Sequence, residues 1–135
     1  MSDEDDVLVA FDALDGPWAG RDVEGVVRLF ADQPDITFWG DAGPERAVGR
    51  EELRDMLTRL FAAYATGSFR IGYTERRVSV FGDVAVVNAA GEATWDPGDW
   101  TEEVLPYRLT GVFVRTADGW RWHTHHGSEP TPLDP

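Results

Sequence analysis

All three histidines of the chain lie in its last predicted strand, residues 120–127. Side chains alternate between the two faces of a strand, so Trp122, Thr124 and His126 are expected on one face and the other two histidines on the opposite face. An imidazole can relay a proton near neutral pH. His126 is therefore a candidate catalytic residue if this face lines a pocket. The alternative is a structural histidine bonded to a backbone carbonyl or to Arg108.

Arg108 lies on the preceding predicted strand, residues 104–116, and shares a strand face with Thr110 and two valines. This pattern indicates that the arginine points toward the protein interior. An inward guanidinium must meet an anion, either a buried carboxylate or a ligand. Glu92 and Asp41 are the internal candidates, and with His126 they would form an acid/base cluster. A salt bridge at the sheet edge that only stabilises the fold is the alternative.

Large aromatic side chains fall near the ends of several predicted elements and could line an apolar pocket. Such walls, with few polar groups, suit a flat apolar ligand. The candidate substrate-binding residues are Trp18, Trp39, Trp95, Tyr107, Thr110, Trp122 and Thr124. The alternative is a place in the core or at a subunit interface, where tryptophans of small domains are common.

His123 and His125 form a His-x-His pair on the opposite strand face. Two imidazoles at this spacing can chelate a metal ion, which leaves a metal-dependent hydrolase as a third functional hypothesis. A third ligand is missing from the pattern, so we expect both histidines on the outer face and predict neither a metal nor another cofactor. Cysteine is absent, which excludes thiolate sites.

Helical periodicity marks the first half of the chain, with a break at Gly16-Pro17, a cap at Asp22 and an amphipathic stripe over residues 50–66. A short strand is expected at 35–40, a loop at 41–49, and long strands at 68–81, 84–95, 104–116 and 120–127. The loop 96–103 could act as a lid with Trp100 as its plug. Helices followed by a run of strands predict an α+β fold, in which a strongly curved antiparallel sheet packs on three N-terminal helices. One domain is expected over 1–135, with a core of about 7–128 and an irregular tail at 129–135.

The composition is acidic: 25 acidic residues face 12 arginines and no lysine, giving a formal net charge of −13. Such a surface repels phosphate backbones and anionic membranes, so neither nucleic acid nor membrane is an expected partner. An acidic N-terminus, no long apolar run and no cysteine predict a cytoplasmic protein.

Several strings in their order along the chain resemble the SnoaL-like and ketosteroid-isomerase-like cone fold of the nuclear transport factor two superfamily. They are Arg21-Asp-Val-Glu-Gly-Val-Val-Arg-Leu-Phe-Ala-Asp32, Val48-Gly-Arg-Glu-Glu-Leu53, Phe81-Gly-Asp-Val-Ala-Val-Val87, Asp118-Gly-Trp-Arg-Trp-His123 and His126-Gly-Ser128. The resemblance implies a pocket at the open end of a cone and a homodimer through the outer sheet face. It also implies one of several functions: isomerase, cyclase, dehydratase, hydrolase or a non-catalytic association domain.

The places of the catalytic tyrosine, base and second acid of ketosteroid isomerases fall near Leu14, Trp39 and Gly111, which cannot perform those roles. Arg108 and His126 occupy places where an arginine and a histidine recur in SnoaL-like proteins. These residues predict a protein that binds a small, mostly apolar organic molecule and, if it is an enzyme, performs acid/base chemistry. A non-catalytic ligand-binding or dimerisation module is the alternative. We expect Arg108→Ala to abolish ligand binding.

Overall fold

The computed structural model describes residues 2–64, 67–99 and 101–132 of the chain. The predicted lid residue Trp100 lies outside these ranges, as do the last three residues of the predicted tail. The helices are α1 (Asp3–Asp12), α2 (Asp15–Ala19), α3 (Val23–Val27) and α4 (Gly49–Ala63). In the ranges described, no helix combines the length and the apolar character needed to cross a bilayer.

The helix boundaries follow local capping chemistry. Ser2 accepts a hydrogen bond from the backbone N–H of Asp5 at 3.2 Å. Asp22 accepts one from the backbone N–H of Gly25 at 3.0 Å, which confirms the cap predicted at Asp22. The predicted break is also confirmed, because α1 ends before Gly16-Pro17 and α2 restarts around it. Proline is tolerated in the first turn of α2, where it removes no intrahelical bond.

Six strands form one sheet in the order β2-β1-β6-β5-β4-β3. They are β1 (Thr37–Trp39), β2 (Arg46–Val48), β3 (Ser68–Phe81), β4 (Val84–Asp96), β5 (Glu103–Thr116) and β6 (Gly119–Ser128). The expected α+β fold is confirmed, but the sheet is mixed rather than wholly antiparallel, because β1 runs parallel to β6. The predicted loop at 41–49 contains β2, which pairs with β1 as a hairpin. This hairpin covers the edge of β6, whose backbone groups would otherwise lack partners.

The core between helices and sheet is built around Trp122, which is 1% exposed. Its ring packs against Phe113 at 4.3 Å, Phe11 at 5.4 Å and Phe30 at 6.0 Å between centroids. Backbone hydrogen bonds also join Trp122 to the segment after α3. The N–H of Ala31 donates to the carbonyl of Trp122 at 2.8 Å, and the N–H of Trp122 donates to the carbonyl of Leu29 at 2.9 Å. These contacts hold α1, α3 and two central strands together.

Two β-bulges change the direction in which side chains point. In β3 the pairing skips Thr74. In β6 it skips His123, since Val112 pairs with Thr124 and Phe113 with Trp122. An extra residue in one strand shifts the alternation of its faces from that point on. The buried positions of β6 are accordingly 120 and 122 before the bulge and 125 and 127 after it.

Candidate functional site

A cavity of about 520 Å³ lies between the concave face of the sheet and the helices. Most of its wall is apolar, and eight aromatic residues contribute to it. They are Trp18, Phe38, Phe61, Tyr64, Phe69, Tyr73, Trp95 and Tyr107. A cavity of this size and character can enclose a small organic molecule.

Aromatic contacts fix the shape of the wall. Trp18 stacks on Phe38 with centroids 5.8 Å apart and meets Phe61 edge-on at 5.3 Å. On another part of the wall, Trp95 meets Tyr64 edge-on at 5.0 Å. Offset and edge-to-face pairs of this kind restrain the rings, so the cavity presents preformed aromatic faces to a ligand.

His125 is the histidine that reaches the cavity, and it is only 5% exposed. Its ring lies flat on Phe38, with centroids 4.1 Å apart, and 5.1 Å from Trp122. Burial lowers the pKa of His125 to about 3, so the imidazole is neutral at physiological pH. Its Nδ1 is buried and has no hydrogen-bond partner among the residues described. His125 therefore brings no positive charge to the cavity wall.

Three carboxyl groups, which we call the rim carboxylates, stand at the open end of the cavity: Asp41, Glu45 and Glu129. The turn between β1 and β2 positions Asp41 and Glu45. In this turn the backbone N–H of Gly40 donates a hydrogen bond to the carbonyl of Glu45 at 2.8 Å, and the N–H of Glu45 donates one to the carbonyl of Ala42 at 2.9 Å. The side chain of Glu45 lies across Gly40, where an added Cβ would come within 1.8 Å of Oε2. Glycine is thus required for this placement of Glu45.

Two of the rim carboxylates, Glu45 and Glu129, have raised pKa values. Burial raises the pKa of Glu45 to about 7, and the charge of Asp41 and a hydrogen bond to it contribute. A hydrogen bond to Asp41 and partial burial raise the pKa of Glu129 to about 7 as well. A carboxyl group with a pKa near 7 is partly protonated at neutral pH and can both donate and accept a proton. Glu45, which is the more buried of the two, is the best candidate general acid or base.

Two tyrosine hydroxyls face the same space. The hydroxyl of Tyr107 lies directly against Gly127, where an added Cβ would come within 1.8 Å of it. Burial raises the pKa of both Tyr73 and Tyr107, so their hydroxyls stay protonated and can donate hydrogen bonds. Burial and the charge of Asp12 also raise the pKa of Asp15, another acid on the cavity wall. The cavity wall therefore carries both neutral hydrogen-bond donors and titratable carboxyl groups.

Four of the residues predicted from the sequence line the cavity: Trp18, Asp41, Trp95 and Tyr107. The expected inward orientation of Arg108 and Thr110 is wrong, because Tyr107, Leu109 and Phe113 are the buried set of β5. Thr110 instead donates a hydrogen bond to the amide oxygen of Asn88 at 2.9 Å on the outer face.

The expected orientation of His126, Glu92 and Trp39 is wrong as well. His126 follows the bulge in β6 and therefore points outward, where it pairs in register with Thr110 and meets Trp39 edge-on at 5.7 Å. Trp39 is 42% exposed and lies outward because its neighbour Phe38 is buried. Glu92 shares the outward face of β4, whose buried residues lie at odd positions as far as Ala93, with Thr94 buried after it. These residues thus lie on the outer face, away from the cavity.

The other two predicted residues of β6, Trp122 and Thr124, lie neither on the cavity wall nor on the regular outer face. Trp122 faces inward as expected, but it is packed in the core behind His125 and does not line the cavity. Thr124 lies beside the bulge, where its hydroxyl is 2.7 Å from Nδ1 of His123. Neither side chain is placed to contact a ligand in the cavity.

The His-x-His metal hypothesis is contradicted by the same bulge. Nε2 of His123 lies 3.2 Å from Oδ1 of Asp35, while His125 is buried against Phe38. The two imidazoles do not converge. Over residues 2–64, 67–99 and 101–132, no three histidine or acidic side chains are arranged to ligate one ion.

Sequence reasoning missed His125, Glu45, Glu129, Tyr73 and Asp15 as cavity residues. The bulge hid His125, because regular alternation assigns it to the other face. Glu45 and Glu129 are far apart in the chain and meet only in the folded protein. Gly40, five residues before Glu45, was the only local sign that a side chain packs there.

Comparisons with known proteins agree with this geometry. A family model described as a SnoaL-like domain matches residues 7–132. No curated protein matches the chain. A solved structure from Streptomyces avermitilis, of a protein proposed to be a dehydratase of the NTF2-like family, is 25% identical. That match covers 96% of this chain and 97% of the other, with a TM-score of 0.82.

Two further solved structures share the fold. A ketosteroid isomerase-like protein from Erwinia carotovora atroseptica is 21% identical, over 97% of this chain and 98% of the other, with a TM-score of 0.74. A protein from Novosphingobium aromaticivorans, proposed to be an aromatic ring hydroxylase, is 20% identical, over 98% and 92% of the two chains, with a TM-score of 0.79. At these identities the two structures support the cone fold alone.

Proposed function

Because the chain belongs to the SnoaL-like domain family, we propose that it binds a small, mostly apolar organic molecule inside the cone and transfers a proton to or from it. One observation above all supports this function. A cavity of about 520 Å³ with aromatic walls meets, at its opening, a carboxyl group whose pKa is about 7. An apolar space that also holds a titratable group is typical of acid/base sites.

Different residues of the cavity wall transfer the proton, stabilise negative charge and hold the substrate. Glu45 donates or accepts the proton, because it is partly protonated at neutral pH. The hydroxyls of Tyr73 and Tyr107 stabilise negative charge that develops on a carbonyl or epoxide oxygen. Trp18 and Trp95 hold the apolar body of the substrate and exclude water. Isomerisation, cyclisation, dehydration and hydrolysis all fall in this class, and the Streptomyces neighbour is itself proposed to be a dehydratase.

Melting shifts across a panel of apolar carbonyl compounds and epoxides test the cavity. A compound present at a hundred times its Kd is expected to raise stability by about 2.7 kcal/mol, or several degrees in Tm. Ala42→Trp should remove most of this shift, because Ala42 lines the opening and the indole would block it. A compound that binds but is recovered unchanged would make the protein a binding module rather than an enzyme.

Two control variants locate the ligand. Ala62→Trp adds the same indole on the exposed side of α4, away from the cavity wall, and should keep the full shift. Arg108→Ala should also keep it, contrary to the expectation from the sequence, because Arg108 lies on the outer sheet face. A shift that survives Ala42→Trp, or one that is lost in Arg108→Ala, would place the ligand elsewhere.

The outer sheet face supports a second part of the proposal, a homodimer. Trp39, Phe81, Val84 and Val104 expose apolar surface there, and Phe81 is 68% exposed. Large apolar side chains exposed on one sheet face favour an interaction surface. We expect Phe81→Asp to shift the protein toward monomer in sedimentation velocity, while Val9→Asp on α1 should not. A wild-type protein that is monomeric at all concentrations would contradict this part.

A further inference from the structure

The cavity carries more negative than positive side chains. Five acidic residues line it: Asp15, Asp41, Glu45, Glu103 and Glu129. Across the described part of the chain, no ion pair joins a rim carboxylate to an arginine or a histidine. Among the described residues, no basic side chain therefore pairs with the acidic opening, which lies next to an aromatic interior.

The two arginines on the cavity wall are already engaged with the protein. Arg21 donates from Nε to the carbonyl of Tyr64 at 3.0 Å, and from Nη2 to the carbonyl of Gly67. Arg70 pairs with Glu102 at 3.7 Å. Because both guanidinium groups have protein acceptors, neither is placed to neutralise the rim carboxylates or to bind an anionic ligand.

His125 adds no positive charge to the cavity wall. Its imidazole is almost fully buried in the cavity wall, and its Nδ1 has no hydrogen-bond partner among the described residues. Because burial lowers the pKa of His125 to about 3, its imidazole is neutral and does not offset the charge of the rim carboxylates.

We propose that the ligand is a protonated aromatic amine, whose ring system fills the cavity and whose ammonium group lies among Asp41, Glu45 and Glu129. This inference rests on the proposed function and names the class of molecule that the same cavity takes. Carboxylates accept strong charge-assisted hydrogen bonds from an ammonium group, and the neighbouring aromatic faces attract a cation. A metal ion demands stricter geometry, and no suitable set of ligands exists in the described ranges.

The protonation state of the rim supports an amine ligand and predicts its pH dependence. The charged and titratable groups that face Glu45 are Asp41 on the same turn, Tyr107 and Glu103 on β5, and Glu129 after β6. The pKa of Glu45 and that of Glu129 lie at about 7, so both groups gain protons as pH falls from 8 to 6. An ammonium ligand should therefore bind about tenfold more weakly at pH 6 than at pH 8.

Calorimetric titration with two matched probes tests the proposal at pH 8. The probes are 2-naphthylmethylamine, which is protonated, and 2-naphthalenemethanol, which has the same shape without the charge. We expect the amine to bind about tenfold more tightly than the alcohol. In the double variant Asp41→Asn/Glu45→Gln this preference should vanish while alcohol binding persists, which also reports that the variant is folded.

The matched control is Asp55→Asn/Glu51→Gln, which removes the same two charges from the exposed face of α4 and should leave the preference intact. Equal affinity for the two probes in the wild-type protein would overturn the amine assignment and leave the cavity proposal standing. Binding of neither probe would overturn both. A preference that survives the double variant would remove the rim carboxylates from the site.

Discussion

Replacing Glu45 with glutamine is expected to stabilise the protein at pH 8 and to lower proton-transfer turnover about 10²–10⁴-fold. The two effects have one cause, because the carboxyl group that can exchange a proton near pH 7 is also a partly buried acid beside other acids. Glutamine keeps the size of the side chain but cannot ionise. Turnover is measured with the compound that the ligand panel identifies, and stability by urea unfolding.

The sign of the stability effect follows from the raised pKa. Between the ordinary pKa of 4.5 and about 7, folded Glu45 holds a proton that the unfolded chain has released. The free energy of unfolding therefore falls as pH rises through this window. Above the window, the full cost of ionising Glu45 in the folded protein is present. Removing the carboxyl group should recover about 1 kcal/mol at pH 8, after allowance for solvent screening of a partly exposed group.

The gain from Glu45→Gln should grow between pH 4.5 and 7 and stay constant above. Glu4→Gln, at an exposed position in the first turn of α1, is the control and should show no gain at pH 8. If Glu45→Gln leaves stability at pH 8 unchanged, the pKa of Glu45 is ordinary and its assignment as the acid/base group fails. Unchanged turnover would remove it from the chemistry even if the stability gain is present.

Replacing Trp122 with alanine is expected to lower the free energy of unfolding by about 3–5 kcal/mol. The ring is almost wholly buried and contacts aromatic side chains from α1, β5 and the segment after α3. Alanine would leave a cavity among rings that cannot close together without moving whole elements. A loss of this size is a large fraction of the stability of a typical domain, about 5–15 kcal/mol.

Urea unfolding at neutral pH measures this loss, with Trp39→Ala as the control. Trp39 is the same residue type on the outer face, where it is partly exposed, so its loss should cost about 1 kcal/mol or less. If Trp122→Ala costs less than Trp39→Ala, the core is not organised around Trp122. Wild-type-like near-ultraviolet circular dichroism in Trp122→Ala would argue the same way.

Much of the fold could be read from the sequence because it depends on local pattern. The switch from a helical to an alternating period after Gly67 separates α4 from β3, and the Gly82-Asp83 turn separates β3 from β4. The caps at Ser2 and Asp22 act within three residues of themselves. The resemblance to the SnoaL-like family predicted the cone and its cavity in addition, and the family match confirms that the chain belongs to this family. The periods, the turn and the caps need no information about distant contacts.

Which face of each strand points toward the cavity could not be predicted in the same way. Both alternating sets of β5 are apolar, one with Leu109 and Phe113 and the other with Val112 and Val114, so the pattern did not identify the inner face. In β6 the bulge at His123 arises from pairing with β5, and one extra residue is enough to exchange His126 for His125 in the cavity wall.

The sequence by itself determined most of the elements, with β2 the exception, their order and the aromatic, acidic character of the chain, because these follow from neighbouring residues. Only the tertiary structure decided which residues form the site. Glu129 meets Asp41 and Glu45 only after the sheet has formed, and the environment this creates raises the pKa of both glutamates. Proximity between distant residues, and the loss of solvent that comes with it, depend on three-dimensional packing and leave no mark in local sequence.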